Sequence, residues 1–302
     1  MKLRKRLREK LSDALDSQEL NQIYNSFDII GDIAIIKLRS SKNVKVNVVA
    51  NKIMSIHKNL KTIFVQDSPI MGDFRIRKLK LLAGEGKTST KYRESNCVFA
   101  VDVENCYFSP RLSNERSRIA RLVSPGETIV NMFAGVGCFS ILIAKNVDQT
   151  KVISIDVNPT AIQFMKENVR VNRVYSKVVP ILGDSKEIIK SELQGKADRV
   201  LMPLPEKALE YLPYALLALK KEGGWIHYYD FQHSIGNEDP IEKTKLKVAQ
   251  KLDSLGICHC FAFSRIVRST GPNWYQIALD IHVVCCQASF NSPVVNYLIR
   301  DE

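Results

Sequence analysis

The sequence lacks any apolar stretch approaching the ~20 residues that cross a bilayer as a helix, so no membrane association is expected. It lacks an apolar secretory core behind its first residues, and its seven cysteines are odd in number without a paired Cys-x-x-Cys. Those absences argue against a disulfide framework and suit a reducing cytoplasm. No repeats or low-complexity tracts occur. Cys258-His259-Cys260 looks like part of a metal site, but no second ligand pair stands at zinc spacing. The stretch therefore reads as strand core, and no metal is expected. Acidic side chains are the minority charge, 32 against 44 Lys plus Arg, for a formal net charge of +12. That balance favours a polyanionic partner, nucleic acid foremost. The basic opening, Met1 to Arg8, reads as an exposed helix.

At 302 residues the chain can build one large or two modest domains. Residues 1–95 read as a small α+β domain. Two short apolar runs surround Gly31-Asp32, a helix spans 47–59, and strands are expected at 62–65, 73–77 and 88–93 around a polar hinge, Gly84 to Lys87. Residues 96–302 alternate strands and helices as a doubly wound, mostly parallel α/β sheet requires. Strands are expected at 128–130, 152–155, 178–182, 199–202 and 225–229. Helices follow at 139–145, 161–172, 207–221 and 242–255, with an antiparallel closing pair at 258–265 and 275–284.

The chemistry concentrates at the ends of those strands. Asn131-Met132-Phe133-Ala134-Gly135-Val136-Gly137 turns the chain from the first strand into a helix, and lacks the third glycine of a pyrophosphate-binding fingerprint. A sulfonium cofactor, S-adenosylmethionine, fits such a turn better than a dinucleotide. Asp156 ends the second strand, where a carboxylate can accept from ribose hydroxyls. Asp184 follows the third and suits an adenine amino group; Pro203-Leu204-Pro205 follows the fourth. Four strand ends on one rim of a parallel sheet agree with ligand binding there.

The segment Tyr107 to Arg116, with Ser109-Pro110-Arg111-Leu112 and Glu115-Arg116, carries a more specific signal. Together with Gly72 to Arg77, Leu82 to Glu85, Met132 to Gly137, Ile155 to Pro159 and Gly224 to Tyr228, it resembles the archaeal and eukaryotic tRNA guanosine-37 N1-methyltransferases and their wyosine-pathway relatives. The resemblance implies a Rossmann-like class I methyltransferase domain after a small α+β domain, acting as a cytoplasmic monomer on the tRNA anticodon stem-loop at position 37. It assigns Glu115 as general base for the guanine N1 proton, in a polar-poor pocket that strengthens it. Arg75 would stabilise charge at O6. Tyr107, Arg111, Asn131, Phe133, Gly135, Gly137, Asp156, Val157, Asp184 and Pro203 would hold the cofactor. The plainer alternative for Glu115 is a helix-surface ion pair with Arg118 or Arg111.

Three departures bear on the substrate. Pro203 stands where the family has asparagine and offers neither an amide nor a backbone donor. It resembles the archaeal subgroup that also methylates carbon 7 of the tricyclic wyosine intermediate. Asn131 stands where aspartate is usual. The chain also begins, by this resemblance, at the second domain of the longer members, so recognition would fall on the anticodon stem and a basic surface including Lys2 to Arg8. Aminocarboxypropyl transfer to a wyosine precursor and non-catalytic tRNA binding are the remaining alternatives.

Overall fold

The computed structural model describes residues 7–39 and 45–284; basic residues 2–6 and Cys285 and Cys286 lie outside the described residues. Two compact units divide after Ser113, beyond the expected boundary near residue 95. The first contains α1 (Leu7–Leu11), α2 (Ser17–Asn21), β1 (Asp28–Ile30), β2 (Ile33–Ile36), α3 (Val46–Ile56), β3 (Thr62–Gln66), β4 (Leu79–Gly84), β5 (Ser89–Glu94) and β6 (Cys97–Asp102). Strands β1 to β4 form one sheet in that order, and β5 and β6 form an antiparallel pair. That pair stays with the first unit because the Thr90 hydroxyl donates to Asp32 Oδ1 and accepts from the Asp32 amide.

Helix α3 buries Val49, Ala50 and Ile53, one stripe at helical spacing, in a core with Ile36, Ile63 and Val65. Gly84 ends β4 at φ +92°, and a Cβ there would stand 1.9 Å from the Lys61 carbonyl oxygen. Gly84→Ala is expected to cost about 2–4 kcal/mol, from a left-handed backbone and a clash with main chain. Thermal unfolding checks it, and an unchanged Tm would refute the packing argument.

Two expectations in this unit are corrected. Residues 73–77 form a turn, not a strand: the Arg75 amide donates to the Gly72 carbonyl at 3.0 Å, and Arg75 has φ +51°. Alternating charges imitated a half-buried strand in a mostly exposed loop. The layout also gains a strand it did not contain: β4 occupies 79–84, ahead of the hinge, and 85–88 are loop as the hinge required.

The second unit opens with α4 (Ser113–Leu122), whose first residue closes the first unit. It continues through β7 (Thr128–Asn131), α5 (Cys138–Asn146), β8 (Lys151–Asp156), α6 (Pro159–Val171), β9 (Val178–Leu182), α7 (Ser185–Ile188), β10 (Arg199–Met202), α8 (Ala208–Ala218), β11 (Gly223–His233), α9 (Pro240–Ser254), β12 (His259–Gly271) and β13 (Trp274–Val284). The sheet order is β12-β13-β11-β10-β7-β8-β9, parallel from β11 to β9, with β13 antiparallel between β11 and β12. This is the expected doubly wound, mostly parallel sheet. Its central strands read as apolar runs because helices cover both faces, and Val130, Ile155, Val200 and Ile226 share one core.

Strand order reverses between β7 and β10, so the crevice beyond their carboxyl ends is where this architecture accepts a ligand. The Cys258–Cys260 stretch is corrected: both cysteines are exposed, because β12 is the edge strand. Among the described residues no helix is long and apolar enough to cross a membrane, and no cluster of His, Cys, Asp or Glu could hold a metal ion.

Candidate active site

The sheet brings Asn131, Asp156, Asp184 and Pro203 to the carboxyl ends of four adjacent parallel strands. Between β7 and α5, Gly135 and Gly137 hold φ of +55° and +90°, which side-chain-bearing residues rarely adopt. The Gly135 amide donates to Asp156 Oδ2 at 2.6 Å, and the Asn158 amide to Oδ1 at 2.9 Å. Turn and carboxylate thus fix one another, and each oxygen keeps acceptor capacity for a hydroxyl. Burial pushes the Asp156 carboxyl up, against the pull of these amides. A Cβ on Gly137 would come within 2.7 Å of Met165 Cγ, so this glycine also lets α5 pack on α6. Val157, beside Asp156, is exposed.

Asp184 caps α7 by accepting from the Lys186 amide at 2.9 Å. It also accepts from the Tyr211 hydroxyl at 3.1 and 2.9 Å. Tyr211 in turn meets the Phe133 ring edge-on, with centroids 5.2 Å apart. Asn131 is fully buried: its amide nitrogen donates to Ser140 Oγ at 3.0 Å, while its carbonyl oxygen accepts no hydrogen bond. A positive-φ cradle with two carboxylates, an aromatic edge and an orphaned buried acceptor fits a nucleoside carrying a cationic tail.

Glu115 lies in the first turn of α4 and is 2 % exposed. The polar-poor pocket expected around it is absent. Its Oε1 accepts from Arg118 Nε at 3.0 Å, Arg118 Nη2 at 2.6 Å and the Tyr229 hydroxyl at 2.9 Å. Oε2 is buried and accepts no hydrogen bond; Arg265 Nη1 stands 3.7 Å away. The partner Arg118 matches the plainer sequence alternative, but Glu115 is buried and Arg118 partly so, which takes the pair off the surface. Burial pushes the Tyr229 phenol well above its ordinary value, and the Glu115 charge adds to this, so Tyr229 remains a donor.

The polar network continues inward. Arg118 also donates to both oxygens of Asp280, Asp280 Oδ1 pairs with His227 Nδ1 at 2.6 Å, and His227 Nε2 faces Arg199 Nη1 at 2.6 Å. Arg199 then donates to both oxygens of Glu127, at 2.7 and 3.0 Å. Burial lowers the affinity of His227 for a second proton, against the influence of Asp280. The neutral tautomer with the proton on Nδ1 satisfies both neighbours. Burial alone would raise Asp280, yet His227 and Arg118 hold it at about 2.

In the first unit, the Arg75 guanidinium lies over the Tyr107 ring, 4.1 Å from its centroid. Arg111 donates to Asp28 Oδ1 at 2.7 Å. Burial weakens the neighbouring Arg77 as a cation, partly offset by Asp28. Arg75, Tyr107 and Arg111 therefore belong to one compact unit, and Glu115 and the strand-end residues to the other.

Sequence reasoning missed Tyr211, Tyr229, His227 and Asp280. A signal for the last two was present: Trp225-Ile226-His227-Tyr228-Tyr229 and Ile277-Ala278-Leu279-Asp280-Ile281 place an imidazole and a carboxylate inside otherwise apolar and aromatic strands. A buried polar group in such a run requires a partner.

A family model, the TRM5/TYW2 methyltransferase domain, matches residues 90–255, and a second, the TYW2 N-terminal domain, matches residues 7–88. The sequence is 40% identical over 268 residues to the tRNA (guanine(37)-N(1))-methyltransferase Trm5b of Pyrococcus abyssi, covering 88% of this chain and 77% of that protein. It is 37% identical to the tRNA 4-demethylwyosine(37)-methyltransferase Taw21 of Saccharolobus solfataricus, covering 87% and 96%. The crystal structure of Pyrococcus abyssi Trm5b superposes with a TM-score of 0.79 at 38% identity, over 90% of this chain and 79% of that one. The complex structure of aTrm5 and tRNALeu gives a TM-score of 0.78 at 33% identity, over 94% and 79%.

Proposed function

The chain belongs to the TRM5/TYW2 methyltransferase family, and from that premise we propose that it methylates N1 of guanosine at position 37 of tRNA. It is an S-adenosylmethionine-dependent methyltransferase. Gly135, Gly137, Asp156, Asp184, Asn131 and Phe133 are the residues that would hold the cofactor, with Val157 and Pro203 beside them. Tyr107 and Arg111 are assigned to cofactor binding by family resemblance alone. The cofactor supplies a methyl group made electrophilic by the sulfonium.

Guanine N1 carries a proton and is a poor nucleophile until that proton leaves. The observation that carries the proposal is the asymmetry of Glu115: Oε1 holds three donors, while buried Oε2 has none. Oε2 accepts the N1 proton as the N1–H bond breaks, and the electron pair delocalises onto O6. Arg75 donates to O6 and stabilises that charge. Its guanidinium is held flat by Tyr107, so little freedom is lost on binding. The target base leaves the anticodon-loop stack to expose its N1 edge, and the net charge of +12 favours the tRNA backbone.

Pro203 and the near full-length match to Taw21 favour a second reading, methylation of carbon 7 of the wyosine intermediate. Labelled methyl transfer to transcripts with guanosine or adenosine at position 37, followed by nucleoside analysis, separates the two. N1-methylguanosine from the guanosine transcript alone is expected. No product there, with transfer to tRNA bearing the tricyclic intermediate, would replace the first reading by the second.

A further inference from the structure

Among the described residues, Glu115 shares the one guanidinium that hydrogen-bonds it, Arg118, with a second buried carboxylate, Asp280. One guanidinium thus supplies hydrogen bonds to two carboxylates. A carboxylate with a full guanidinium to itself is a weak base, and one that divides it with a rival is stronger. Asp280 can compete only while it is ionised and aimed at Arg118. His227 secures both, since its Nδ1–H holds Asp280 Oδ1, and Arg199, backed by Glu127, occupies Nε2 and fixes the tautomer. Most of the network is dry: Glu115, Asp280, His227 and Arg199 are each 3 % exposed or less, while Arg118 and Glu127 are partly buried.

One helix and three strands contribute charged or titratable groups around Glu115. Arg118 comes from α4, Tyr229 and His227 from β11, Arg265 from β12 and Asp280 from β13. Tyr229 stays a neutral donor, and Arg265 lies outside hydrogen-bonding distance of Oε2. Asp280 is therefore the group whose charge most directly sets how much of Arg118 is left for Glu115.

We propose that Asp280, oriented by His227, is a positioning residue that draws Arg118 partly away from Glu115, keeps the Glu115 carboxylate a competent base and leaves Oε2 as its reactive oxygen. This rests on the assignment of Glu115 as general base. The low protonation range of Asp280 accords with a carboxylate that stays charged throughout the working range.

The test is the pH dependence of single-turnover methyl transfer to guanosine-37 tRNA at saturating cofactor. Its acid limb reports protonation of the base in the complex. In Asp280→Asn, Arg118 is left wholly to Glu115, so the limb moves to lower pH by about one unit and the plateau rate falls. His227→Gln keeps Asp280 charged but removes its Nδ1 donor. Asp280 then leans harder on Arg118, and the limb moves to higher pH.

Opposite displacements in the two variants support the proposal. A merely structural role would lower the rate with the limb unmoved, and that result in either variant overturns it. Cofactor binding by calorimetry confirms that each variant is folded; should Asp280→Asn fail there, the direction of the His227→Gln shift decides alone. Glu115→Gln, run beside them, separates the two claims: full activity in that variant removes the base assignment itself. Loss of activity there with unmoved limbs elsewhere removes only the role of Asp280.

Discussion

Glu115→Gln is expected to lower the rate of methyl transfer to guanosine-37 tRNA by about 10²–10⁴-fold, the range general bases contribute, with cofactor affinity unchanged. The substitution keeps shape and volume, and Gln Oε1 can still accept from Arg118 and Tyr229 as Glu115 Oε1 does. Arg118 loses one counter-charge but keeps Asp280, so no buried cation is stranded. The amide has no affinity for the N1 proton, which is the single property the reaction needs from Oε2. Single-turnover kinetics and calorimetry with the cofactor measure the two quantities independently. A rate within about threefold of the parent would end the assignment of Glu115, because a structural glutamate is well replaced by its amide.

How far the sequence reached differs between the two compact units for a physical reason. In the second, the central strands are covered by helices on both faces, so β7, β8 and β10 appear as short, mostly apolar runs, and positive-φ glycines mark the turn after β7. Asp156 was legible because it ends β8, and Asp184 because it follows β9 after a single glycine. In the first unit the sheet is half-exposed and alternation is ambiguous: 73–77 alternates as a strand would and is a turn, while β4 ends at a glycine that looked like a hinge.

The partners of Glu115 were legible only in part. Arg118, one helical turn along α4, was visible as a candidate ion pair. Asp280 lies 162 residues from Arg118 and reaches it only because β13 inserts between β11 and β12. Local spacing carries no record of such a neighbour. The expected polar-poor pocket failed for the same reason: the apolar runs around Glu115 conceal His227, Tyr229 and Asp280, which the fold turns towards it.

Arg118→Met should destabilise the second unit by about 3–5 kcal/mol, the cost of removing one partner from a buried ionic group. Methionine replaces much of the volume, so the loss is electrostatic: Glu115 Oε1 keeps only Tyr229, and Asp280 keeps only His227. Lysine at this position is a poor substitute, since one ammonium cannot match the fork that now reaches two carboxylates. The pH dependence identifies the cause. In the parent protein Asp280 is held at about 2, below its ordinary 3.8, so its contribution is complete above 3.8 and is lost as pH falls towards 2. Without Arg118 the buried carboxylates gain by taking up protons on folding, which reverses the sign, and the deficit relative to the parent shrinks as the solution is acidified towards pH 4. Urea unfolding of parent and variant at pH 7 and pH 4.5 measures both. A deficit equal at the two pH values would mean that Arg118 acts through packing of its stem and not as the counter-charge between Glu115 and Asp280.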